Sequence, residues 1–77
     1  IAFRRVDLSL ASVLCRRAGT DGMILGTHQD LAKELGTARE VVSRQLAEFQ
    51  RRGWTDQGRG VIRLTAPAAL ADFAAAD

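Results

Sequence analysis

Apolar residues recur at helical spacing from the start of the chain: Phe3, Val6, Leu10, Val13, Leu14 and Ala18 share one stripe. The spacing predicts a first helix running to about Arg17. Arg16 and Arg17 suit the negative end of its dipole, and Gly19 supplies a stop signal. Its start falls either to Asp7 as a cap or to residues upstream of Ile1. Thr20-Asp21-Gly22 reads as a turn, and Met23-Ile24-Leu25 has the length of a short strand only. Two threonines then stand three residues ahead of an acid, Thr27 before Asp30 and Thr37 before Glu40. That is the spacing of a capping box, although Asp30 stands where Glu or Gln is usual. The pair predicts a short helix over 28–35 and, after Gly36, a longer one over 38–52.

Gly53 ends that helix. Trp54-Thr55-Asp56 and Val61-Ile62-Arg63-Leu64 flank the turn residues Gln57-Gly58-Arg59-Gly60, giving a hairpin over 54–64. Its alternation puts Ile62 and Leu64 on the inner face. Pro67 sits where a first-turn proline belongs and begins a closing helix over 67–76. The predicted order is α–β–α–α–β–β–α, with no repeat or internal linker. One domain over 1–77 follows, an α+β fold with a small antiparallel sheet packed on a core of three to four helices.

Composition narrows the chemistry. At 77 residues the chain stands near the lower end of what folds without disulfides or metals. One cysteine excludes an internal disulfide and cannot alone make a zinc or iron–sulfur site; it fits a reducing, cytoplasmic setting. No run of about 18 apolar residues exists, so no membrane helix is expected. The first residue is Ile, which suggests a piece of a longer protein. Net charge is +2; residues 64–77 hold no Lys or Arg against two Asp, so the excess of cations lies ahead of them. That distribution leans towards an anionic partner.

The segment "LGTAREVVSR", 35–44, carries the candidate chemistry. At roughly 100° per residue, with Arg39 at zero, Ser43 falls near 40°, Glu40 near 100° and Arg44 near 140°. Phe49, Val42 and Leu46 fall near 280°, 300° and 340°, on a separate apolar stripe. A helix in a DNA major groove needs this division. Arg donates twice to guanine O6 and N7, Glu accepts from cytosine N4, and Ser serves a base edge or a phosphate. Ahead of it, Leu31 and Leu35 point one way, Ala32 allows close approach and Gly36 permits a tight turn. A short helix, a glycine turn and a second helix outline a helix-turn-helix over 28–52, and the hairpin after it makes a winged helix.

With those residues in place, "THQDLAKELGTAREVVSRQLAEFQRRGW" followed by "GRGVIRL" resembles the C-terminal DNA-binding domain of the Crp/Fnr family of bacterial transcription regulators. The resemblance runs from about Val6 to Phe73, and its most specific piece is Arg39, Glu40, Ser43 and Arg44. It implies base contacts by these four residues. It further implies phosphate contacts by Thr27, His28 and Gln29 at the first motif helix, by Thr37 ahead of the second, and by Arg59 at the wing tip. Gln45 departs from the family pattern, where an aliphatic residue is usual. The resemblance also implies parts outside this chain: a sensor domain that binds any effector, and a dimerisation helix whose end or hinge is residues 1–6. Double-stranded DNA, a second copy of the full-length protein and RNA polymerase are the partners it implies. No cofactor is expected in this segment.

Plainer readings stand beside these. Glu40 and Arg44 are four apart and suit a surface ion pair. His28 suits an exposed helix start or, alternatively, a phosphate contact. Cys15 suits a buried thiol, Trp54 core packing, and Arg51 with Arg52 a helix C-terminus. A Ser/His/Asp or Cys/His pair on a plausible frame is missing, and Gly58-Arg59-Gly60 is a turn and not a phosphate cradle, so catalysis is not expected. Two other functions fit the pattern less well. A winged helix used for protein–protein contact predicts an apolar outer face on helix 38–52. A winged-helix DNA binder of another family, such as a replication initiator, predicts different upstream residues.

Overall fold

The computed structural model describes residues 6–58 and 60–75. Phe3, most of the segment expected to be a hinge, Arg59 and Ala76 therefore lie outside the described residues. The chain runs as α1 (Val6–Arg17), β1 (Met23–Leu25), α2 (His28–Leu35), α3 (Arg39–Arg51), β2 (Thr55–Gly58), β3 (Val61–Leu64) and α4 (Pro67–Ala75). That is the order the hydrophobic pattern predicts.

Helix α1 packs against α4, and α2 against α3. The three strands form an antiparallel sheet of order β1-β3-β2, with Ile24 opposite Ile62 and Thr55 opposite Leu64. Strand alternation sends Ile24, Ile62 and Leu64 into the core, where they meet Leu10 and Leu14 of α1, Leu31 of α2 and Leu70 of α4. From α3 come Val42, Leu46 and Phe49, all fully buried. Burying each such side chain contributes about 1.5–3 kcal/mol, so the inner face of α3 anchors it to the core. Phe49 also meets Trp54 and Phe73 at ring-centroid distances of 5.6 and 5.9 Å. Trp54 is thus a packing residue. Cys15 is half-buried against the core, and burial pushes its thiol pKa up.

Three local expectations change. The capping box expected at Thr37 and Glu40 is not formed: Ala38 is the N-cap of α3 and makes no side-chain cap. The turn is too tight for it. Gly36 takes the left-handed backbone (φ 70°), and Thr37 donates its main-chain N–H to Ala32 O at 3.0 Å. Residue 37 therefore closes α2 rather than opening α3. The wing turn is also shorter than expected, because β2 extends to Gly58, paired with Val61. Trp54 lies ahead of the strand, drawn to Phe49 and Phe73. The turn read at Thr20-Asp21-Gly22 is found, with Gly22 at φ 76° leading into β1, and α1 stops at Arg17, two residues before Gly19.

Candidate nucleic-acid interface

Helix α2 begins with the predicted capping box. Thr27 Oγ1 accepts from Asp30 N and Asp30 Oδ2 accepts from Thr27 N, each at 3.1 Å. The Thr27 main-chain N–H first, and then its hydroxyl, hold the Asp30 carboxyl below its ordinary pKa, with help from the charges of Arg17 and Lys33. The first-turn N–H groups of His28 and Gln29 have no partner within a helix, so the positive end of α2 is left open to an anion.

Helix α3 divides as the wheel predicts. Arg39, Glu40 and Arg44 are exposed, and Ser43 is half-buried. Gln45 is half-buried at the border of the stripe, so a polar residue there is accommodated. The ion pairs among the described residues lie elsewhere. Glu34 of α2 takes Arg16 and Arg17 of α1, and Asp56 takes Arg63 across the wing at 3.4 Å. Glu48 takes Arg51 at 2.6 Å and Arg52 at 2.9 Å. Those hydrogen bonds, from Arg51 first, lower the Glu48 pKa. The Arg52 guanidinium also stands 5.1 Å from the Trp54 ring centre. Glu40 and Arg44 form no such pair, and Arg39 has none either, among the described residues. Most other cations of this surface are matched by acids, while Arg39 and Arg44 remain available to an outside partner.

His28 is committed inside the protein to a degree its sequence position does not suggest. Its Nδ1 lies 2.7 Å from Ser43 Oγ on α3, and its Nε2 lies 2.8 Å from Gln57 Oε1 on β2. The Gln57 amide in turn donates from Nε2 to Gln50 Oε1 at 3.3 Å. One imidazole thus ties the first motif helix, the second motif helix and the wing. Sequence reasoning missed Gln50 and Gln57: Gln57 reads as a turn residue, and no spacing rule links it to His28. Of the other phosphate candidates, Thr27 and Gln29 are exposed beside His28, and Thr37 is half-buried in the inter-helix turn. Among the described residues no group of His, Cys, Asp and Glu is placed to hold a metal, and no helix is long and apolar enough to cross a membrane.

Two helices joined by a three-residue turn, the second with a buried inner face and a charged outer one, followed by a β-hairpin, define a winged helix-turn-helix of the DNA-binding class. The sequence matches the model of the Crp-like helix-turn-helix domain over residues 9–73, and the chain belongs to that family. Its fold is that of Crp/Fnr-family transcription regulators. One from Eubacterium rectale superposes with a TM-score of 0.87 at 29% identity, covering 92% of this chain and 34% of that one. A CRP/FNR-family regulator from Thermus thermophilus gives 0.83 at 27% identity, covering 91% and 40%. The catabolite activator protein of the same organism gives 0.71 at 30% identity, covering 90% and 32%. The chain therefore spans between 32% and 40% of the length of these neighbours. No curated protein matches it.

Proposed function

We propose that this chain is the DNA-binding domain of a bacterial transcription regulator and reads duplex DNA sequence-specifically, with α3 in the major groove. The observation that carries the reading is the state of α3. Its inner face is fully buried, while Arg39, Glu40 and Arg44 stand exposed on the other side with no partner among the described residues. In this reading Arg39 and Arg44 donate to guanine, Glu40 accepts from cytosine N4, and Ser43 meets the neighbouring base edge. Thr27, Gln29 and Thr37 take phosphates, as does Arg59 at the wing tip. His28 does so through its main-chain N–H, since both ring nitrogens are engaged. Phosphate contacts supply most of the affinity, and base contacts the selectivity.

The shared fold and the length of the neighbours support a larger regulator around this single domain. In it, a sensor domain binds any effector, two copies read half-sites about 34–36 Å apart, and RNA polymerase is the further partner. The setting is the cytoplasm, no reaction is catalysed, and the segment itself needs no cofactor. The test is selection from random duplex DNA at fixed, moderate salt, with Arg44→Ala in parallel. Wild type should enrich a short motif containing a G·C pair, and the variant should lose about 1–3 kcal/mol on that motif and relax one position of it. Equal loss on every sequence would reassign Arg44 to a phosphate.

A further inference from the structure

Ser43 has one hydroxyl proton and two lone pairs, and its contact with His28 Nδ1 ties the use of that proton to the histidine tautomer. Gln57 donates through its Nε2 to Gln50, which turns its carboxamide oxygen towards His28 Nε2. With that oxygen as the acceptor, Nε2 carries the imidazole proton. Nδ1 of the neutral ring is then an acceptor, and the one donor within its reach is the Ser43 hydroxyl at 2.7 Å. In this tautomer the Ser43 proton is used inside the protein, and its lone pairs are left for an outside donor.

Building on the reading of α3 as the DNA reader, we infer that His28 is a specificity-determining positioning residue, which touches no base but makes Ser43 an obligate acceptor. An acceptor at this point of α3 matches the exocyclic amino groups of adenine N6 and cytosine N4. It disfavours guanine O6 and N7 and thymine O4, which accept as well. The polarity is set where Gln57 of the wing donates to Gln50 of α3, passes through His28, and returns to α3 at Ser43. The wing thereby acts on base choice at a position it does not reach.

Two substitutions separate the two ring nitrogens. His28→Asn places a carboxamide oxygen near the Nδ1 position and keeps an acceptor for Ser43. His28→Gln extends towards the Nε2 position, keeps a link to the wing and removes that acceptor. In the same selection, His28→Asn should retain the wild-type base at the Ser43 position. His28→Gln and Ser43→Ala should relax that one position by roughly 2- to 10-fold, the range of a single hydrogen bond. The double variant should be no more relaxed there than either single. A merely structural role would instead lower the thermal midpoint and weaken every sequence alike. Nitrogen NMR of wild type without DNA gives an independent reading, and a protonated Nε2 with a bare Nδ1 is the expected signature. The inference falls if NMR finds the proton on Nδ1, or if His28→Gln keeps a preference that Ser43→Ala loses. A wild-type chain that enriches no motif overturns the reading of α3, and this inference with it, even where the tautomer is as expected.

Discussion

Thr55, the first residue of β2, is 2% exposed, and its hydroxyl has no hydrogen-bond partner among the described residues. An unpartnered hydroxyl withdrawn from water costs about 1–3 kcal/mol. Thr55→Val replaces it with a methyl of nearly the same shape and keeps the β-branch that suits a strand. Since the Thr55 main-chain pairing with Leu64 is untouched, the expected outcome is stabilisation by about 1–2 kcal/mol. In a domain of this size that raises the midpoint by roughly 4–15 °C. Thr55→Ser is the control: it keeps the hydroxyl and deletes a buried methyl, and should destabilise by about 1 kcal/mol. Thermal and urea unfolding monitored at Trp54 read both, and DNA affinity should not change, because Thr55 faces the core. A valine variant no more stable than wild type would refute the reasoning. It would mean that the hydroxyl has a partner such as a buried water, which a valine loses.

Other perturbations test the frame around the interface. Gly36→Ala has open space for its Cβ but forces a left-handed backbone at φ 70°; it should cost about 1 kcal/mol in denaturant unfolding. Arg59→Ala should weaken all duplexes alike and flatten the dependence of log affinity on log salt by about one; an unchanged slope would remove the wing tip from the interface. Asp30 and Glu48 both have folded pKa values below their ordinary ones. Their contribution is present above the unfolded-state values and lost as pH falls through the folded ones, so stability should decline below about pH 4. Asp30→Asn should make that decline shallower in unfolding measured across acid pH, and an identical profile would show that the capping carboxylate is not titrating there.

The element order was legible because each signal is local. Apolar periodicity, the Thr27–Asp30 cap, the glycine stops and the alternation of Ile62 with Leu64 act within a turn or a strand, and the chain carries them wherever it folds. The charged face of α3 was legible for the same reason, since 3.6 residues per turn settle which side chains share a face. Spacing did not decide which of the permitted pairs form. Glu40–Arg44 and Glu48–Arg52 have the same i,i+4 separation, yet only the second closes, beside Arg51 and over the Trp54 ring. Nor did it place the Thr37 main chain on α2 instead of a cap on α3, because the tight turn at Gly36 decides that. The partners of His28 stand 15 and 29 residues away. They converge only because the register of β2 on β3 and the packing of α2 on α3 bring Gln57 and Ser43 to opposite edges of one imidazole. Local sequence chose the elements and the face that looks outwards. The partner that Ser43 finds on that face is a property of the assembled fold, since His28 and Gln57 are long-range neighbours that no local pattern encodes.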